Sequence, residues 1–214
     1  MANNILQPLV KSNVAILSQK IGLLDVLVAR HHGSISVASE QFSKICPLVG
    51  ASIGQHYRHS MDHIELAALV ASSVVKDSSS SSSQVAAELH YDLRVRGGTL
   101  EKDLELSRQR IVNVVDILQS LQPNEKDESI TTTTAITNNP ITAYFNLSAD
   151  SNDEIGLPST VGRELGFAAH HAIHHMAMCK VIAVQTLGVN EEELPYGFGR
   201  APSTLLFDRD NEKC

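Results

Sequence analysis

Apolar residues return every three or four positions through four long stretches of the chain, which is the spacing of an amphipathic helix. The first covers residues 5–29, where Leu6, Val10, Asn13, Leu17, Ile21, Leu24 and Val28 form one mostly apolar stripe. His31-His32-Gly33-Ser34 closes it, and Gly33 can take the positive φ of a C-terminal cap. A short helix and a loop around Pro47 and Gly50 are expected over residues 35–51. The second long helix starts near Ser52. Ile53, His56, Tyr57, Ser60, Ile64, Ala67 and Ala71 share one broad side, as far as about Val75. Thr99 is expected to cap the third, Leu100 to Leu121, with Glu101 and Asp103 in the first turn where the helix dipole favours acids. Leu104, Ile111, Val114, Val115 and Leu118 give it a core face. Ser159 or Thr160 caps the fourth, which runs to Leu187 and ends at Gly188.

The connecting segments read differently. Residues 76–84 hold the run Ser78 to Ser83, which has nothing to bury and is expected to be a mobile surface loop. His90 to Arg96 alternates and meets Gly97-Gly98, so it reads as extended. Ser129 to Thr137 is rich in Thr and Ile and reads as a strand. Asn138-Asn139-Pro140 then turns the chain so that Ile141 to Leu147 returns antiparallel. The tail from 191 to 214, with Pro195, Gly197, Gly199 and Pro202, reads as irregular. These elements predict one domain over 1–214. Its fold class is mainly all-α, an up-down four-helix bundle with a small β-hairpin or extended insertion between helices 3 and 4.

Charge narrows the partners. The formal net charge is −7 and the pI about 5.8, and the longest basic element is Arg94-Val95-Arg96. A nucleic-acid surface is therefore not expected. Cys46, Cys179 and Cys214 are odd in number and lack a CxxC, which points to a reducing, cytoplasmic setting. The first residues lack the pattern of a signal peptide, and no apolar run reaches the ~18 residues of a membrane span. Walker, GxGxxG, GxSxG and Cys-rich zinc motifs are absent from the sequence. A bundle with exposed apolar flanks could form a homodimer.

The chemistry concentrates in histidine. Seven of the ten histidines fall in two clusters, His56/His59/His63 and His170/His171/His174/His175. At ~100° per residue, the first three fit within an arc of roughly 60°, with Asp62 to one side. His171 and His175 are an i, i+4 pair, and His170 and His174 are a second pair rotated toward a neighbouring face. Such a pair is how one helix supplies two metal ligands, and a third from a facing helix completes an open three-His site. Burying several imidazoles without partners is costly, and a shared metal satisfies three at once. Spacing does not choose among the seven.

A family pattern does. Ser52-Ile53-Gly54 followed by His59 resembles the second-helix signature of the DinB/YfiT-like superfamily, whose members carry a His five positions after such a Gly. His171 and His175 resemble its fourth-helix HxxxH. Tyr91 to Arg96 and Arg163 to Phe167 resemble one DinB-like subgroup, and the likeness covers about Ser52 to Leu187. The resemblance implies a four-helix bundle carrying a divalent metal (nickel, zinc or iron) on His59, His171 and His175. His56, His63 and His174 become pocket groups and candidates for general acid or base work. His170 departs from the pattern and makes His170/His174 the competing pair. Relatives in the superfamily include thiol S-transferases, a thiol-dependent isomerase and hydrolases. The resemblance thus implies a metal-dependent enzyme acting on a small-molecule substrate. Transfer of a low-molecular-weight thiol co-substrate is the leading reaction and hydrolysis the next. The alternatives are a non-catalytic metal-binding or stress-related protein, and a bundle whose histidines form only a polar core.

Other residues extend the site. Tyr91, Asp92, Arg94 and Arg96 alternate along the extended segment and could meet a carboxylate or thiol substrate. Glu164 lies two turns before His171 and could orient a ligand imidazole, or pair with Arg163 at the helix start. Cys179 reads as a core thiol, and Tyr196 to Arg200 as a lid or a surface tail.

Overall fold

The computed structural model describes residues 4–77, 87–93, 96–122, 130–151 and 153–211. The serine run at 78–83 and Arg94 lie outside the described residues. The chain is mainly helical, with a small three-stranded mixed sheet inserted mid-chain. In chain order the elements are α1 (Leu6–Arg30), α2 (Ile35–Ser43), α3 (Ile53–Asp77), β1 (Ala87–His90), α4 (Leu104–Ser120), α5 (Ile130–Thr137), β2 (Pro140–Phe145), β3 (Ile155–Thr160), α6 (Val161–Leu187) and α7 (Pro202–Asn211). Single 3-10 turns occupy Thr99–Glu101 and Glu191–Glu193.

Local chemistry sets the ends of the long helices. Ser52 and Gln55 form a reciprocal cap at the start of α3. The Gln55 N–H donates to Ser52 Oγ at 3.1 Å, and the Ser52 N–H donates to Gln55 Oε1 at 2.9 Å. Thr160 Oγ1 accepts from the Arg163 N–H at the start of α6. Gly188 at φ 64° follows the last turn of α6, where a side chain would be strained.

Five expectations are corrected. Residues Ile130–Thr137 are helical, not a strand. The Thr137 hydroxyl donates back to the carbonyls of Thr133 and Thr134, and Thr133, Ile136 and Thr137 are buried. Burial and back-bonding override the modest β preference of Thr and Ile. Strand β2 therefore has no hairpin partner at Ile130–Thr137. It pairs in parallel with β1 and antiparallel with β3. β3 is an edge strand, where the missing N–H of Pro158 is tolerated. Of the stretch His90 to Arg96 expected to be extended, His90 ends β1 and the chain bends at Tyr91 and Asp92, while Arg94 and Val95 lie outside the described residues. Helix α4 starts at Leu104 rather than Leu100. Asp103 Oδ1 accepts from the Glu105 and Leu106 N–H groups and caps it, in place of Thr99. The tail is not wholly irregular, since it contains α7.

The chain forms two compact units, and each long helix contributes residues to both. The first comprises Met1–Ala15, Met61–Arg96 and Val112–Ala169. It holds the sheet, and in it Asn13 Nδ2 ties α1 to the Leu165 carbonyl of α6 at 3.1 Å. The second comprises Ile16–Ser60, Gly97–Ile111 and His170–Cys214. There the Tyr57 hydroxyl donates to the Lys20 carbonyl, and Lys20 Nζ donates to Ser60 Oγ at 2.7 Å, so α1 is pinned to α3. Arg108 and Asp25 join α4 to α1 at 2.7 Å. Helix α1 is the one helix among the described residues with the length and hydropathy of a membrane span. Its Asn13 and Lys20 are fully buried and bonded to protein groups, as in a core helix.

Gly54 shows how closely the second unit packs. A Cβ there would lie 2.0 Å from the Glu101 carbonyl oxygen, a backbone atom that cannot step aside. Gly54→Ala is therefore expected to destabilise the protein by about 2 kcal/mol or more through overpacking, read as a lowered midpoint in thermal unfolding.

Candidate metal centre

The capping box at Ser52 sets the phase of α3, and burial then divides the histidines by face. On α6, His170 and His174 are exposed, while His171 and His175 are half-buried. On α3, His56 and His59 are half-buried and His63 is buried. In the second unit His171 Nε2 lies 3.1 Å from His59 Nε2 and 3.1 Å from His175 Nε2. The three rings are mutually edge-on, with centroids 4.6 to 5.0 Å apart. His56 adds a fourth imidazole, its Nδ1 2.8 Å from His175 Nδ1. Histidines gathered this closely could hold one metal ion.

The donor set fits such an ion. A neutral imidazole carries one proton on two nitrogens. His171 Nε2 offers either one proton or one in-plane lone pair, so its two 3.1 Å contacts must share a single site. A cation among them accepts every lone pair. Two nitrogens bound tetrahedrally at about 2.1 Å stand about 3.4 Å apart, close to the spacing seen. Electrostatics favours the same state. Burial first, then the neighbouring histidines His59, His171, His56 and His174, pushes His175 down to about 2. Burial first, then Lys20 and His174, pushes His56 down to about 4. Neutral imidazoles bind metal without first losing a proton.

The remaining predicted residues are placed elsewhere. Glu164 does not serve a ligand imidazole. Its carboxylate accepts the Tyr91 hydroxyl at 2.8 Å, the Ser159 hydroxyl at 2.5 Å and Arg163 Nη1 at 2.6 Å. Tyr91 leaves the expected extended face to make that bond, and in the first unit its ring lies flat on His63 with centroids 4.4 Å apart. Burial, then the charge of Glu164, raises the Tyr91 hydroxyl above its ordinary range. Asp92 Oδ2 accepts the Asn146 N–H and fastens a loop. Arg96 is exposed and lines a shallow polar cleft with Asp92 and Asn146. Asp62 is buried. Cys179 is a buried thiol, which burial pushes up to about 12. Tyr196 is 84% exposed at the surface, whereas Phe198 is buried.

Sequence reasoning passed over Lys20. Its side chain is fully buried, its ammonium bonds Ser60 and lies 4.1 Å from the Tyr57 ring centroid, and burial lowers it to about 8. The signal was present. Lys20 stands three residues after Leu17 and four before Leu24, inside the apolar stripe of α1.

The chain is 32% identical over 124 residues to a protein named FK506-binding protein 5 from Rhizopus delemar, a match covering 58% of this chain. It spans 28% of that protein's length. No family model matches the chain, and no solved structure matches it.

Two outcomes follow from these environments. Tyr91→Phe removes a donor from a carboxylate that is 1% exposed, and is expected to cost about 1–3 kcal/mol in urea unfolding. The second concerns pH. The unfolded chain takes up protons on His56 and His175 from about pH 6.5, whereas the folded state resists them down to about 4 and about 2. Protons thus favour the unfolded state in that window. The metal-free protein loses stability as pH falls below about 6.5 and recovers none of it below 4. Denaturation midpoints between pH 7.5 and 4.5 measure this, and a flat profile would show that the folded histidines titrate normally.

Proposed function

We propose that this chain is a divalent-metal-binding protein of the DinB/YfiT-like type, with His59, His171 and His175 as ligands. The observation that carries the reading is the convergence of their rings, with His171 Nε2 3.1 Å from each of the other two Nε2 atoms. The i, i+4 pair that faces α3 is His171/His175, because His170 and His174 are exposed. His63 lies in the first unit. We favour His175 because its Nε2 meets His171 Nε2 and its other nitrogen is held by His56. A metal-bound imidazole normally has such a partner, whereas His63 stacks on Tyr91.

A divalent ion on three neutral ligands keeps its full charge and polarises a water, carbonyl or thiol that reaches it. The residues around it supply orientation and proton acceptance. His174 is exposed beside His175, with ring centroids 5.3 Å apart. This supports a metal-dependent enzyme for a small molecule, with thiol transfer or hydrolysis as the reaction. The net charge of −7 opposes a nucleic-acid substrate. The cytoplasmic setting and a homodimer remain part of the same proposal.

Untagged protein dialysed against zinc or nickel is expected to hold about one equivalent, measured by plasma emission. His59→Ala, His171→Ala and His175→Ala should each abolish stoichiometric uptake, while His170→Ala should not. Stoichiometric uptake by His175→Ala together with its loss in His63→Ala would move the third ligand to His63. Uptake below about a tenth of an equivalent by the unaltered chain would leave only a polar histidine core.

A further inference from the structure

We infer that His56 is a positioning residue that fixes the tautomer of His175 and turns its Nε2 toward the metal. The inference rests on the three-histidine reading and goes beyond it, since it assigns protons to named nitrogens. His175 meets His171 through Nε2 and His56 through Nδ1. If Nε2 gives its lone pair to a metal, the one proton of the neutral ring sits on Nδ1. At 2.8 Å, two Nδ1 atoms must be joined by one proton. His175 Nδ1–H therefore donates, His56 Nδ1 accepts, and His56 carries its own proton on Nε2.

The surroundings of His56 suit that task. Its backbone is anchored, because the Ser60 hydroxyl donates to the His56 carbonyl at 2.7 Å while accepting from the buried ammonium of Lys20. His56 Nε2 is shielded from solvent and has no hydrogen-bond partner among the described residues. The assigned tautomer thus leaves a buried N–H at Nε2, a donor suited to an oxygen or sulfur of a bound substrate. The chain His56–His175–metal resembles in logic the carboxylate–histidine–metal arrangement, with a neutral imidazole in place of the carboxylate. A neutral acceptor leaves the positive charge of the ion undiminished.

The test uses the full chain and zinc alone as probe. Long-range proton–nitrogen correlation spectra of the zinc-loaded protein, labelled with nitrogen-15, should show His175 protonated at Nδ1 and His56 protonated at Nε2. Chelator competition should show zinc binding weakened roughly 10- to 100-fold in His56→Ala. His56→Asn places an amide oxygen near the position of Nδ1 and should recover most of that loss, a rescue that a purely space-filling role would not give. A His56 ring protonated at Nδ1, or a His56→Ala variant with unaltered zinc affinity, overturns the inference while leaving the three-histidine centre standing. An unaltered chain that takes up no zinc overturns both. The spectra of the unaltered protein decide the tautomer even if His56→Ala fails to fold.

Discussion

Imidazole nitrogens packed at 3.1 Å satisfy one another poorly, because His171 Nε2 offers either one proton or one lone pair and must share it between two neighbours. This constraint governs the second unit. The cluster must be held by something other than its own contacts, and it must be kept neutral. The hydrophobic faces of α1, α3, α4 and α6 supply the holding force, since the stripes that include Leu17, Leu24, Ile53, Tyr57, Ala172 and Met176 are fully or almost fully buried. Helix phase does the rest. The capping box at Ser52 fixes where α3 begins, and so fixes which way His56 and His59 turn.

Neutrality has its own support. Lys20 is a buried cation with a hydroxyl and an aromatic ring as neighbours, and it weakens proton binding at His56. Burying an ammonium costs several kcal/mol unless its donors find acceptors, so its place in the core calls for a physical reason. Two reasons are visible. Lys20 pins α1 to α3 through Ser60, and after burial it is the next cause that lowers His56. Arg58 and Glu101, 10% and 7% exposed, form a second buried link at 2.9 Å. Glu101 also accepts the Gly97 N–H and so holds the turn before α4 against α3.

The first unit shows the same economy with carboxylates. Glu164 at the start of α6 is stabilised by three donors, Tyr91, Ser159 and Arg163, and by the positive end of the helix dipole. Tyr91 directly follows β1, Ser159 lies in β3 and Glu164 in α6, so one buried carboxylate ties the sheet to the helix that follows it. Tyr91, Phe145 and Phe167 pack around one another with centroids 5.2 to 5.9 Å apart, and His63 lies on Tyr91. An irregular segment after β1 thereby acquires a rigid aromatic floor.

Periodicity by itself determined the four long helices, their caps at Gly33 and Gly188, and two clusters of histidine on helical faces. These are local properties, written at three- and four-residue spacing, and burial follows the stripes closely. Tertiary structure alone decided which histidines meet. His170 and His171 are equivalent to any spacing rule, and only the packing of α6 makes one exposed and the other half-buried. Glu164 found Tyr91 rather than an imidazole because the chain bends after β1, a contact 73 residues apart that no local pattern encodes. Residues Ile130–Thr137 became a helix and Ile155–Thr160 a strand against their local preferences. Both segments are short, and short segments draw too little free energy from intrinsic propensity to resist the packing and hydrogen bonds their neighbours offer.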